Sequence, residues 1–541
     1  MSQITVNDLT FSYDTSYETI FEHVSFQIDT DWKLGFIGRN GRGKTTFLYL
    51  LSGKYDYRGS ITSSVEFSYF PFEVRTPEEN TLTVIKNTIA PFTWWEQEME
   101  ECLKKSAYEQ GTADESGLSE LSVSDPLMRY GQLQELYQTH DGYVIEELIE
   151  KELGKLQVDL EVLTRPFSTL SFGERTKVML AALFLKKNNF LLIDEPTNHL
   201  DMEGRDTLAE YLQTKKGFIL ISHDRSFLDR CIDHVLSINR AAIEVQKGNY
   251  SSWQQNKERQ DNYELEKNEK LKKDISELEE AAKRAKGWSE QTEASKIGNH
   301  TGDRGFVGHK AAKMMKRAKS IENRKLDAID EKRGLLKNIE QAQELKINLL
   351  EFPNKRMIAA EDLSLGYDGH VITNSINFTL QKGSRLAIQG RNGSGKSTLL
   401  KLLLGEKIDY SGNFYVAPGL KISYVSQDTS YLKGSLSEFA LAGGLDETIF
   451  KTVLRQLDFS RVQFEKDISE FSGGQKKKVL LARSLAEPAH LFVWDEPLNF
   501  IDVFSRIQIE ELILTFRPTM IFVEHDRMFS DKVATEVLRL L

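Results

Sequence analysis

Two copies of one ordered set of short motifs run through this sequence, and that duplication restricts the possible folds more than any other feature. GRNGRGKTT begins at Gly38, LSFGE at Leu170, LLIDEPTNHLD at Leu191 and ISHDR at Ile221. GRNGSGKST begins at Gly390, FSGGQ at Phe471, FVWDEPLNFID at Phe492 and VEHDR at Val523. Lys44 and Lys396 are 352 residues apart, whereas Ser171 and Ser472, Glu195 and Glu496, and His223 and His525 are 301, 301 and 302 apart. The first copy therefore holds about 51 extra residues between its first two motifs. A chain duplicated on this scale folds as two related domains with a separate segment between them.

Each copy opens with an alternating segment (ITVNDLTFSYD; MIAAEDLSLGYDG), then a further strand, then a Gly-rich turn entering an apolar helix. Strand, loop and helix in that order are what a phosphate-binding loop requires. Gly38, Asn40, Gly41, Gly43, Lys44, Thr45 and Thr46 form the first such loop, and Gly390, Asn392, Gly393, Gly395, Lys396, Ser397 and Thr398 the second. Backbone N–H groups can wrap a β-phosphate there. The lysine neutralises β/γ oxygens, and Thr45 or Ser397 can ligate Mg2+. Downstream, apolar runs deliver Asp194-Glu195 and Asp495-Glu496 at strand ends. Asp194 and Asp495 are placed to hold hydrated Mg2+, and Glu195 and Glu496 to act as general bases on water. His223 and His525 follow a second apolar run, where an imidazole can reach a γ-phosphate. A single histidine there would more often be structural; its repetition in H-D-R favours the chemical role.

LSFGE and FSGGQ resemble the signature loops of ATP-binding-cassette ATPases. The resemblance implies two α/β P-loop ATPase domains in tandem, closing head to tail over two ATP molecules. One site would pair Lys44, Thr45, Asp194, Glu195 and His223 with Ser472, Gly473, Gly474 and Gln475. The other would pair Lys396, Ser397, Asp495, Glu496 and His525 with Ser171, Gly173 and Glu174. Tyr13 and Tyr367 sit where the family stacks an aromatic ring on adenine, although each fits a strand-edge packing role equally well. The family's Mg2+-contacting glutamine is matched by Gln427, but Phe72 stands in its place in the first copy, and Phe172 replaces a usual glycine. The two sites are therefore expected to be unequal.

Between the copies, residues about 254–345 read as charged helix. Leu271, Ile275, Leu278 and Ala282, then Leu326, Ile329, Leu336 and Ile339, recur at helical spacing on either side of GNHTGDRGFVG. This pattern predicts an antiparallel helical hairpin. The domains expected are 1–250, with a helical insertion at about 88–140; a hairpin linker at 251–350 with its tip near 297–309; and 351–541. Net charge is −11, yet residues 281–320 carry +7, leaving −18 on the rest. A basic tip on an acidic chain suits RNA phosphates, the bland alternative being a solvated helix face. Lys296, His300, Arg304, Phe306 and His309 are candidates for RNA or tRNA contact, and Lys310, Lys313, Lys316 and Arg317 for backbone phosphates. Phe306 and Trp288 could instead pack inside the hairpin.

No apolar run approaches the roughly 18–20 residues that cross a bilayer, and the start lacks a secretory pattern. Cys102 and Cys231 alone supply neither a disulfide framework nor a zinc site, and read as free thiols. A cytoplasmic protein is expected. Taken together, the fused cassettes, DEPTNHLD, the insertion and the charged linker resemble the ABC-F family of ribosome-binding ATPases. That resemblance implies a monomer with intramolecular cassette pairing, using ATP and Mg2+, that associates with the bacterial 70S ribosome and with neither membrane nor DNA. Its linker would enter from the tRNA exit site toward 23S rRNA at the peptidyl-transferase centre and the P-site tRNA, and its insertion would face the L1 stalk. The linker stretches GWSEQTEASKIG and DRGFVGHKAAKMMKRAKS resemble antibiotic-resistance members of the Lsa/Vga type, which displace lincosamides, streptogramins A and pleuromutilins. The rivals are a housekeeping translation factor of the same family, a DNA-repair or transport-associated ATPase, and an idle scaffold.

Overall fold

A computed structural model describes residues 2–13, 19–111, 120–198, 200–238, 243–294, 316, 319–320, 324, 344–367 and 370–540. Residues 1–250 and 342–541 make one unit and residues 251–341 another.

In the first cassette, a small antiparallel sheet runs Thr19–Asp29, Gln3–Ser12, Arg58–Thr62 in spatial order. Alternation in Gln3–Ser12 buries Ile4, Val6, Leu9 and Phe11 on one face. A six-stranded sheet runs Glu66–Phe70, Asn189–Asp194, Phe218–Ile221, Lys33–Ile37, His234–Ile238, Ile243–Lys247, parallel except for the last. Its central strands are continuous apolar runs because both faces are buried, one of them against the small antiparallel sheet and the helix Lys44–Leu51. The second cassette repeats the plan. An antiparallel sheet runs His370–Gln381, Arg356–Tyr367, Asp409–Val416, and a parallel sheet runs Ile422–Val425, Leu491–Asp495, Met520–Val523, Arg385–Gln389, Glu536–Arg539. Both Asp-Glu pairs thus lie at the carboxyl edge of a parallel sheet, one strand removed from the strand that leads into the Gly-rich loop, where open α/β sheets bind ligands.

The extra residues of the first copy form two helices packed on each other, Phe92–Gly111 and Glu120–Thr139. Phe92 meets Trp95 and Tyr137 edge-on at 5.4 and 5.5 Å, and Lys86 ties the base through Glu96 (2.9 Å) and Glu146 (3.2 Å). Within residues 251–341, the helix that begins at Tyr250 runs to Ala294, with Ile275 buried and Leu271 and Leu278 half-buried on one face. The tip at 297–309, its candidate contact residues Lys296, His300, Arg304, Phe306, His309, Lys310, Lys313 and Arg317, and the apolar positions 326–339 lie outside the described residues. Lys316 is helical and exposed.

The expected linker boundary at 350 falls too late. Leu345 and Ile347 are buried in the second cassette's core, and Asn348 N–H and Leu350 N–H donate to Leu485 O (3.1 Å) and Ala489 O (2.9 Å). Apolar side chains alternate in this short stretch, so it docks as an extended segment and not as more charged helix. Both cysteines are buried free thiols. Among the described residues, no helix is long and apolar enough to cross a membrane.

Candidate active site: two phosphate loops facing two signature helices

Each Gly-rich loop turns from a core strand into a helix, Lys44–Leu51 or Lys396–Leu403. Gly43 and Gly395 enter those helices at φ +87° and +88°, where a Cβ would also strike Ile20 at 2.5 Å or Thr373 at 2.9 Å. Lys44 Nζ donates to Gly38 O (2.8 Å) and Arg39 O (3.1 Å); Lys396 Nζ donates to Gly390 O and Arg391 O (both 2.8 Å). Each loop therefore curls around its own ammonium. Burial strips water from both lysines and lowers their pKa, and an incoming phosphate oxygen would favour the ammonium form again with little water to displace.

Thr45 Oγ1 donates to Asp194 Oδ2 at 2.8 Å, bringing together the two predicted Mg2+ ligands of the first cassette. In the second, Asp495 Oδ1 is buried and lacks a hydrogen-bond partner. A hydroxyl beside one carboxylate, with an orphaned carboxylate oxygen in the twin site, is a hard-oxygen donor set that fits Mg2+ completed by phosphate and water. Consistent with so few protein ligands, the described residues contain no cluster of three or more His, Cys, Asp or Glu side chains able to hold a metal by themselves. Bound Mg2+ supplies charge neutralisation on the phosphates; Thr45 and Asp194, or Ser397 and Asp495, would hold it. Burial raises Asp194, and burial with the neighbouring charge of Glu496 raises Asp495 to about 6.

Glu195 and Glu496 adopt left-handed backbone, φ +50° and +46°, which costs about 1 kcal/mol for a non-glycine residue and turns each carboxylate out of the strand line. Each faces its histidine: Glu195 Oε1 lies 3.4 Å from His223 Nε2, and Glu496 Oε1 lies 3.4 Å from His525 Nε2. Here the two copies diverge. Burial and the charge of Asp194 lift Glu195 to about 8, and burial with the nearby Lys44 holds His223 neutral. Burial would lift Glu496 too, but hydrogen bonds from His525 and Gln427 and the charge of Lys477 outweigh it and hold this carboxyl below the usual range. Sheet register explains part of the difference. Tyr69 pairs with Leu192 and Tyr424 with Val493, so Phe72 occupies the place that Gln427 fills in the second cassette and offers no amide.

The signature loops cap helices Phe172–Leu185 and Gly473–Ala486. Ser171 Oγ accepts from Glu174 N–H at 3.3 Å while Ser171 N–H donates to Glu174 Oε2 at 2.8 Å; Ser472 and Gln475 repeat this at 3.4 and 2.9 Å. Glu174 and Gln475 are thus members of capping boxes. Each signature faces the other cassette. Asn40 Nδ2 donates to Phe500 O at 2.9 Å, and a Cβ on Gly474 would lie 2.5 Å from that same carbonyl and 3.2 Å from Asn40. Opposite, Ser171, Gly173 and Glu174 share a cleft of about 860 Å³ with Lys396, Thr398 and Gln427, and Asn392 N–H donates to Asp201 Oδ2 at 3.4 Å. Tyr13 hydrogen-bonds Thr46 (2.7 Å) and packs edge-on against Phe11 and Tyr55, whereas Tyr367 is exposed. Phe172 is also exposed, at the mouth of the cleft.

Several contributors lie outside the repeated motifs or carry no local signal of their role. Tyr69 OH donates to Asp194 Oδ2 at 3.0 Å. Lys477 Nζ, brought down to about 8 by burial, donates to Ser426 O (2.7 Å) and Asp495 O (3.2 Å), tying the Gln427 segment to the carboxylate strand. Across the cassettes, Arg39 lies 3.6 Å from Asp458, Arg391 pairs with Glu203 at 2.9 Å, and buried Arg225 pairs with Glu510. Arg225 was visible as the third letter of H-D-R; its partner, on a helix with no motif, was not.

The arrangement presents two Gly-rich loops each curled around a lysine, two hydroxyl-bearing residues with their aspartates and two carboxylate–histidine pairs, each facing a helix N-terminus from the other cassette. It can position a nucleoside triphosphate and remove a proton from an attacking water. The family model described as ABC transporter matches residues 21–198 and 373–499. Putative ATP-binding protein YdiF of Bacillus subtilis (strain 168) is 27% identical, over 100% of this chain and 80% of its own length. Energy-dependent translational throttle protein EttA of Escherichia coli (strain K12) is 28% identical, over 96% of this chain and 89% of its own. Among solved structures, the archaeal ribosome recycling factor aABCE1, in complex with the ribosomal stalk protein aP1, superposes with a TM-score of 0.56 at 18% identity, over 98% of this chain and 87% of that one, a likeness of fold. The chain belongs to the ABC transporter family, carries two of its ATP-binding domains in tandem, and is an ATPase that uses ATP with Mg2+.

Proposed function

We propose that this ATPase is an ABC-F protein that acts on the bacterial 70S ribosome during translation. The observation that carries the reading is the union of two ATPase domains in one chain with a 45-residue charged helix, Tyr250–Ala294, leading into a segment of net charge +7 on an otherwise acidic chain. At 1.5 Å per residue such a helix reaches roughly 68 Å, and its basic end would neutralise phosphates that the body repels. Similarity to a translational throttle over 96% of the chain supports the same reading. ATP-bound closure would favour engagement at the tRNA exit site, with the linker toward the peptidyl-transferase centre and the insertion toward the L1 stalk; hydrolysis at Glu195 and Glu496 would permit release. The protein would work as an intramolecularly paired monomer in the cytoplasm. Co-sedimentation with 70S ribosomes in ATP, strengthened in Glu195→Gln/Glu496→Gln and lost with ADP, is the expected result; sedimentation with membranes or DNA instead would overturn it.

The linker's resemblance to Lsa/Vga proteins favours a second, finer reading: displacement of lincosamides, streptogramins A and pleuromutilins, with Phe306 and its neighbours nearest the drug site. Drug susceptibility in a sensitive host separates the two. Protection by the wild type that is lost in the double mutant supports displacement. Growth arrest by the mutant without any protection by the wild type leaves a housekeeping translation factor.

A further inference from the structure

The two copies differ by one buried carboxyl group at the residue that precedes the histidine of H-D-R. In the first cassette, Ser222 precedes His223, and its hydroxyl meets the hydroxyl of Thr197, from DEPTNHLD, at 3.1 Å and accepts from Asp224 N–H at 3.2 Å. In the second, Glu524 precedes His525, and Leu498 stands where Thr197 stood, so neither hydroxyl exists. Glu524 is 4% exposed, and both its oxygens are used. Oε1 accepts from Leu498 N–H at 2.7 Å; Oε2 accepts from His525 N–H at 3.0 Å and from Asp526 N–H at 3.4 Å. The carboxylate thus replaces a pair of hydroxyls with an anion that grips three backbone donors.

Those donors belong to segments that serve different composite sites. His525 lies against Glu496, in the site closed by the first signature. Leu498 begins the loop whose Phe500 carbonyl accepts from Asn40, in the site closed by the second signature. Arg506 holds the carbonyls of the same loop, donating to Leu498 O (2.8 Å) and Ile501 O (2.9 Å), so Glu524 and Arg506 fix its entry from both polarities. Asp526, beside Glu524, also sits 3.9 Å from Arg225 of the first cassette. We propose that Glu524 is a positioning residue that couples the two ATP sites: one carboxylate oxygen sets the loop presented to the first site, and the other sets the backbone of the histidine that serves the second. The inference rests on ATP hydrolysis alone and is independent of any ribosomal role.

The test uses the full chain and single-turnover ATP hydrolysis in two backgrounds, Glu195→Gln to read the second site and Glu496→Gln to read the first. Glu524→Ser, which copies Ser222 without its partner, is expected to lower the hydrolysis rate about ten-fold in both backgrounds, because charge-assisted hydrogen bonds are lost in each direction, while the ATP KM stays within about two-fold. Glu524→Ser/Leu498→Thr rebuilds the first cassette's hydroxyl pair and is expected to recover at least about half the loss on a logarithmic scale. A purely structural role would instead lower the melting temperature and raise KM without rescue. A loss confined to one background, or a double variant no better than the single, overturns the proposal. If the serine variant does not fold, the isosteric Glu524→Gln decides, since it weakens the acceptor offered to both segments at once; about a three-fold loss in both backgrounds supports the coupling, and a loss confined to one background, or none, overturns it.

Discussion

The two composite sites are built from the same motifs, and a side-by-side reading shows how few residues make them different. At the site of Lys44, the loop amide of Asn40 reaches the backbone of the opposite cassette, Asp502 is sealed with Lys478 at 3.0 Å, and Glu195 shares its buried surroundings with a neutral histidine and no glutamine. At the site of Lys396, Asp201 stands in the place of Asp502 but turns outward to Asn392 N–H across a cleft, and Glu496 is held ionised by His525 and Gln427. Identical motif letters therefore do not imply identical electrostatics. What surrounds a carboxylate, more than its place in the motif, sets which protonation state it keeps.

The largest expected effect tests the sealed pair. Removing one partner of a buried ion pair leaves an unpaired charge, so Lys478→Met should cost about 3–5 kcal/mol of stability by denaturant midpoint, while Lys177→Met, at the equivalent place beside the cleft, should cost less than about 1 kcal/mol. The same pair predicts a pH dependence. Burial alone would raise Asp502, but Lys478 and the Ser505 N–H outweigh it and depress its pKa. Its stabilisation is therefore present above the unfolded-state value of about 3.9 and is lost as pH falls through the folded value. The stability gap between wild type and Asp502→Asn should close correspondingly below about pH 4.

Next comes the chemistry. Glu496→Gln should lower steady-state turnover at pH 7 by about 100-fold, and Glu195→Gln by less, because a carboxyl near 8 is only about one-tenth ionised there. Raising the pH to 9 should increase the activity left in Glu496→Gln by up to about ten-fold relative to that left in Glu195→Gln. Equal losses at every pH would erase the asymmetry. Exchange of the amide is a smaller lever: Gln427→Phe should slow the second site about ten-fold, and Phe72→Gln should speed the first by about three-fold, both read by single-turnover hydrolysis. Smallest is the exposed cross-cassette pair, where Arg391→Ala should shift the melting midpoint by less than about 1 kcal/mol equivalent, since solvent already screens Arg391 and Glu203.

Much of this was legible in the letters. The duplication located both cassettes, the β–loop–α order placed both phosphate loops, and the 301-residue offset aligned both signatures. Local spacing carries such features because they depend on backbone path and on neighbours a few residues away. Contacts formed by the meeting of distant segments were hidden. Nothing near Glu510 announces that it receives Arg225, from 285 residues earlier, and nothing near Asp201 announces Asn392. The motif letters point to Glu174 and Gln475 as ligand contacts, yet each also closes a capping box, because a side chain three residues into a helix bonds its own N-terminus first. Even so, the differences between repeats, Ser222 against Glu524 and Thr197 against Leu498, were open to inspection. A duplicated chain carries its own internal control, and reading only the matching letters discards it.

The seam between the cassettes has one further consequence. Among its described contacts are guanidinium to carboxylate, guanidinium over an aromatic ring (Arg39 over Phe504, 5.5 Å), amide to carbonyl and N–H to carboxylate, while each described apolar cluster keeps to one cassette. An oily seam, once parted, would leave hydrocarbon in water and a strong pull toward aggregation. Ions such as Arg225, Glu510 and Asp526 recover hydration when exposed, so much of the attraction lost on parting is returned by solvent. A joint of this kind resembles a magnetic clasp more than a weld: it closes in register, yields without debris, and can do so on every cycle.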